Sequence, residues 1–149
     1  MNTETAIEQG GQEVKELNSL TEFVIGAAIE VHRQLGPGLL ESVYEACLQA
    51  ELTFMQIEVQ RQVVLPITYK GVVLKEGLRL DLLIDNRLVV EVKAVESLLP
   101  VHSAQLITYL KLARLPIGLL LNFNVPALRQ GIKRLYATSG VKAVPPLSP

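Results

Sequence analysis

The chain has 149 residues, 49 % of them hydrophobic and 19 % charged, with a formal net charge of −1. That length suits one domain with a sizeable core, and the apolar content excludes a mostly disordered chain. The near-zero charge excludes a histone-like polycation, and no apolar run approaches the roughly 20 residues that span a bilayer.

Residues 1–17 read as a polar, mobile arm in which Glu4, Glu8, Glu13 and Glu16 outnumber Lys15. An acidic start is the opposite of a basic targeting segment, so a cytoplasmic protein is expected. Ser19-Leu20-Thr21-Glu22 has the form of a capping box, which predicts a helix beginning near Ser19. Leu20, Phe23, Val24, Ala27, Ala28 and Val31 make its apolar stripe. Gly36-Pro37-Gly38 ends it, since Pro lacks the amide hydrogen and Gly permits a left-handed turn. A second helix is expected over Leu40 to Met55, with Leu40, Val43, Cys47 and Leu48 inward and Glu41, Tyr44 and Glu45 sharing a face. Cys47 is the single cysteine, which excludes an internal disulfide or a Cys-cluster zinc site.

From Ile57 the apolar period shortens toward two. "EVQRQVVLPITY" predicts a strand, Lys70-Gly71 a turn, "VVLKEGLRLDLLI" the returning strand and "LVVEVKAV" a third. After Pro100, "VHSAQLITYLKLAR" reads as a helix with Leu106, Tyr109, Leu110 and Ala113 inward. "IGLLLNF" is a wholly apolar strand, hence buried on both faces. "VPALRQGIKRLYA" predicts a helical turn followed by either more helix or an edge strand, and residues 139–149 an irregular tail. A meander followed by a helical crossover gives an α/β domain over residues 18–138, a mixed central sheet flanked by helices.

Asp81, Glu91 and Lys93 interrupt strands otherwise built for burial, and an ionised group taken from water must be paired or coordinate a cation. Glu91 and Lys93 are two apart and share a face. If Asp85-Asn86 were a two-residue turn, Asp81 would pair with Val90 and face away from Glu91. A three-residue loop including Arg87 instead pairs Ile84 with Leu88 and sets Asp81 opposite Glu91; we adopt this register, although both loop lengths are common. Two carboxylates about 4 Å apart then repel by roughly 4 kcal/mol at an effective dielectric near 20. Lys93 offsets part of this, and a hard divalent cation, Mg²⁺ or Mn²⁺, offsets more. The competing reading is a solvated hairpin edge with Glu91 paired to Lys93. His32 and His102 lie in no metal-binding motif, and Lys133-Arg134 reads as solvated surface.

The neighbourhood adds to this. Gly38, Glu41 and Tyr44 stand in the order G-x-x-E-x-x-Y, followed by Asp81, Glu91-Val92-Lys93 and then Gln105 and Tyr109 in Q-x-x-x-Y. From about Leu20 to Tyr136 the chain resembles the bacterial GxxExxY protein family, placed in the PD-(D/E)XK nuclease superfamily. The resemblance implies a restriction-endonuclease-like fold and a Mg²⁺- or Mn²⁺-dependent nuclease cleaving phosphodiesters in DNA or, as the second choice, RNA. It implies that Asp81 and Glu91 ligate the metal with help from the Val92 carbonyl. Lys93 would orient the attacking water, and Glu41 would join the metal or its water shell. Gln105 and Tyr109 would contact nucleic acid and brace the site, with His102 near a phosphate and Tyr44 in support. The alternative on the same fold is a catalytically silent nucleic-acid-binding or protein-interaction module. The modest charge suggests that a homodimer or a partner helps hold the substrate.

Overall fold

The computed structural model describes residues 3–137. Two helices, α1 (Thr3–Leu35) and α2 (Glu41–Phe54), precede three strands, β1 (Val59–Tyr69), β2 (Val72–Ile84) and β3 (Leu88–Lys93). Helix α3 (Pro100–Ala113) then leads to β4 (Ile117–Asn122), a short 3-10 helix (Leu128–Gly131) and β5 (Ile132–Tyr136). The five strands form one sheet in the order β1-β2-β3-β4-β5. Only β3 and β4 are parallel, as a helical crossover between them requires. The ambiguous stretch after Pro126 is thus a 3-10 turn followed by an antiparallel edge strand. The tail at 139–149 lies outside the described residues.

Helices cover both faces of the sheet. Val24, Ala28 and Val31 of α1 and Tyr44, Leu48 and Leu52 of α2 pack on Leu82, Ile84, Val90, Val92, Leu119 and Leu121. Leu106 and Leu110 of α3 pack on Leu80, Leu83, Val89 and Leu120 from the other side. Every residue of β4 is buried, as its unbroken apolar run predicts. Gly118 on β4 admits α3, because a Cβ there would lie 2.9 Å from Leu106 Cδ1. Among the described residues, no helix is long and apolar enough to cross a membrane.

Three expectations need correction. The segment read as an arm is helical from Thr3, so Ser19 lies inside α1 rather than at its start. Val14 and Leu17 carry the stripe of Leu20, Val24 and Val31 one further heptad upstream, and Leu17 is buried in the core. The Gly10-Gly11 pair, which disfavours helix, hides this continuity from a propensity reading. Phe23 is exposed, because Val24 and Ala27 already fill that face. Leu40 and Val43 are likewise exposed, whereas Tyr44 and Glu45 point inward. Cys47 is half-buried against the first core cluster.

The β1–β2 ribbon exchanges faces midway. On β2, Leu82 and Ile84 join the α1–α2 cluster, yet Leu78 and Leu80, of the same parity, join the α3 cluster. On β1, Val59 packs with the first cluster and Val63, Leu65 and Ile67 with the second. Ideal strands keep one parity on one face. The exchange occurs between the Arg61↔Leu82 and Val63↔Leu80 pairs, where Gln62 takes a left-handed φ of 53°. Gln62 and Asp81 are the residues that pivot.

Candidate active site

The register between β2 and β3 is Ile84↔Leu88, Leu83↔Val89 and Leu82↔Val90, so the loop has three residues and Asp81 comes opposite Glu91. Regular pairing stops there, and side chains take over from backbone. The Asp81 amide donates to Glu91 Oε2 at 2.9 Å, and the Val92 amide donates to Asp81 Oδ2 at 2.9 Å. The two carboxyl groups therefore brace the strands where they diverge. Their other oxygens, Asp81 Oδ1 and Glu91 Oε1, receive no amide donor among the described residues.

Glu91 is 3 % exposed. Burial, then the charge of Asp81, pushes its carboxyl up to about 9, against the Asp81 amide and Lys93, which pull it down. At neutral pH the Glu91 carboxyl accordingly favours its protonated form. Lys93 lies on the same face, its Nζ 3.3 Å from Gln105 Oε1 on α3. Gln105 Nε2 donates in turn to the Tyr109 hydroxyl at 3.0 Å. Burial, followed by the charge of Glu91, also raises the Tyr109 hydroxyl. Their i, i+4 spacing on α3 is what lets both reach the end of the sheet.

The other sequence candidates separate by position. Glu41 opens α2, and its Oε1 accepts the Ala94 amide at 3.2 Å, so it marks the end of β3. It lines one cleft with Asp81, but no three His, Cys, Asp or Glu side chains form a metal-sized group among the described residues. Tyr44 is fully buried and stacked on Phe123, ring centroids 4.5 Å apart, so its ring faces the core and not solvent. Its hydroxyl donates to the Gly36 carbonyl at 2.6 Å and accepts the Leu39 amide at 3.1 Å. Gly38, at φ 99°, supplies the turn between them. The G-x-x-E-x-x-Y string is in physical terms a locked helix entry that aims Glu41. His102 Nδ1 accepts the Leu99 amide at 2.9 Å and caps the start of α3.

Sequence reasoning missed two supports. Asn122, buried at the end of β4, accepts the Val95 amide at 3.0 Å and donates to the Val95 carbonyl at 2.9 Å. With the Phe123 amide on the Lys93 carbonyl at 2.9 Å, it fixes the backbone just beyond Lys93. A buried amide ending an apolar strand was the available signal. The second support lies under the pivot. Buried Glu45 accepts Arg61 Nε at 3.0 Å and Gln62 Nε2 at 2.7 Å on the same oxygen. It thereby ties down the left-handed residue opposite Asp81. No sequence signal marks Gln62, because left-handed positions favour Gly, Asn and Asp.

A family model described as the PD-(D/E)XK nuclease superfamily matches residues 18–135. The chain belongs to that superfamily. The mixed sheet with helices on both faces is its restriction-endonuclease-like fold. No curated protein and no solved structure matches the chain. Superfamily members are generally hydrolytic nucleases that use divalent metals on nucleic-acid substrates. The match spans Asp81, Glu91 and Lys93, the three charged residues at the end of this PD-(D/E)XK domain's sheet. Hard carboxylate oxygens, those of Glu91 buried and those of Asp81 half-buried, fit a divalent cation.

Proposed function

We propose that this chain is a Mg²⁺- or Mn²⁺-dependent nuclease of the GxxExxY type that hydrolyses phosphodiester bonds in DNA. The observation that carries the reading is the pair of hydrogen bonds from the Asp81 amide to Glu91 and from the Val92 amide to Asp81, with Lys93 one step along the same face. Asp81 and Glu91 would hold the metal, with the Val92 carbonyl as a further oxygen donor. When bound, the metal polarises a phosphoryl oxygen and acidifies a water. Lys93, held through Gln105 by Tyr109, presents fixed positive charge where negative charge grows on the phosphoryl oxygens. Glu41, aimed by the Tyr44-locked corner, orients water at the edge of the site. His102 stands at the start of the helix that carries Gln105, where a flanking phosphate would pass.

The test is cleavage of labelled DNA and RNA with Mg²⁺ or Mn²⁺ and with EDTA. Metal-dependent DNA cleavage is expected, and Lys93→Ala should lower it about 10²–10³-fold while leaving the melting temperature near that of wild type. Equal, negligible turnover by both proteins on every substrate would overturn the reading. One observation favours a non-cleaving binding module instead: among the described residues only two carboxylates meet, with Glu41 tied to the Ala94 amide. That reading predicts metal-independent binding and no cleavage.

A further inference from the structure

The cleft that leads to Asp81 has two unlike walls. On one side the corner before α2 exposes Leu39 and Leu40, the latter 73 % exposed. On the other, β1 and β2 contribute Arg61, Gln62 and Arg79. Arg61 is already committed to Glu45 at 3.0 Å. Arg79 is exposed and makes no ion pair among the described residues. The ribbon's change of face explains its place there. Leu78 and Leu80 turn toward α3, so Arg79 between them turns the opposite way, into the cleft with Asp81.

The cleft measures about 770 Å³. That is the scale of a small-molecule site, about 300–1,000 Å³, and fits a short run of nucleotides rather than the cross-section of a duplex. An unpaired arginine suits a backbone phosphate, and exposed leucines suit the apolar faces of unstacked bases. We infer that the Arg79–Leu40 cleft takes a single strand of nucleic acid, phosphates toward Arg79 and bases against Leu39 and Leu40, and feeds it to Asp81. This deepens the nuclease reading and rests on Asp81 and Glu91 being its hydrolytic centre.

Binding in EDTA tests it apart from cleavage. Fluorescence anisotropy would compare a labelled DNA strand, the RNA strand of the same sequence, and the DNA annealed to its complement. One of the single strands should bind about tenfold tighter than the duplex, the better one naming the sugar the cleft prefers. Arg79→Ala should weaken single-strand binding several-fold and reduce the slope of log affinity against log salt by about 0.7, with Arg79→Lys restoring much of both. Leu40→Ser should weaken binding with the slope unchanged. Duplex bound as tightly as the single strands, no binding of any probe, or an Arg79→Ala protein with wild-type affinity and slope would overturn the inference. Equal binding with metal-dependent duplex cleavage would remove it and leave the nuclease standing; single-strand binding without cleavage would overturn the nuclease reading, and with it the delivery to Asp81, leaving a strand-binding cleft alone.

Discussion

Glu45 and Glu91 are the two buried glutamates among the described residues, 4 % and 3 % exposed. Their surroundings differ in the one respect that separates structure from chemistry. Glu45 has a guanidinium and a side-chain amide on one oxygen, so its charge is met within the fold. Glu91 has a backbone amide on one oxygen and a second carboxylate beside it, so its charge is left partly unmet. Under the proposed nuclease reading, this unequal provision at equal burial is what separates a structural anchor from a metal ligand. Glu45 serves the same end indirectly: it secures Gln62, and Gln62 faces Asp81 across the ribbon.

The largest expected consequence is a dependence of apoprotein stability on pH. Because the folded Glu91 carboxyl is raised from its ordinary value of 4.5 to about 9, the native state keeps a proton that the unfolded chain releases. The stabilisation is complete below about pH 4.5 and is lost as the pH rises through about 9. Between those limits one such group changes stability by on the order of 1 kcal/mol per pH unit. Melting in EDTA should therefore fall steadily from pH 5 to pH 9, and Glu91→Gln should flatten the fall. An unaltered slope in that variant would place the two glutamates in one class.

Next in size is the response to metal. A cation that binds only the native state at a hundred times its dissociation constant adds about 2.7 kcal/mol. Mg²⁺ or Mn²⁺ should raise the melting temperature of wild type and of Glu45→Gln, and Asp81→Asn should show no rise. The rise should grow with pH, because the cation displaces the retained proton. Loss of the rise in Glu45→Gln would mean that the anchor under Gln62 sets the spacing of the acids.

How far the sequence carries these features depends on how local their causes are. The strands follow from period two and from Lys70-Gly71, and β2 runs over the expected residues, Val72–Ile84. The placing of Asp81 opposite Glu91 was legible once a three-residue loop was adopted, since that loop fixes the cross-strand register. On α2, Leu48 and the packed Cys47 were legible as inward, but the pair nearest the site was not. Leu40 and Val43 are more apolar than Tyr44 and Glu45, yet the latter pair point inward because a stacked Phe123 and the Arg61–Gln62 pair await them. Those partners lie far along the chain, and helical spacing cannot see them. The change of face at Gln62 belongs to the same kind. A left-handed glutamine is unfavourable by itself and is held by one oxygen on another element.

The smallest expected effect is also the sharpest probe of Glu45 as an anchor. Glu45→Ala leaves Arg61 and Gln62 without their acceptor. Because the Arg61 side chain is 32 % exposed and can rehydrate, the loss should be about 2 kcal/mol rather than the roughly 3–5 kcal/mol of a fully buried pair. Gln62→Gly alone removes both a hydrogen bond and the strain of a left-handed side chain, contributions of about 1 kcal/mol each that offset. In the Glu45→Ala background the hydrogen bond is already gone, so the same change relieves strain alone and should recover about 1 kcal/mol. Denaturant melts of the two single variants and the double variant close a cycle whose coupling is the value of the anchor. Strict additivity would show that Gln62 holds its conformation without Glu45, and the pivot would then owe its shape to the packing of Val63 and Leu80 on either side.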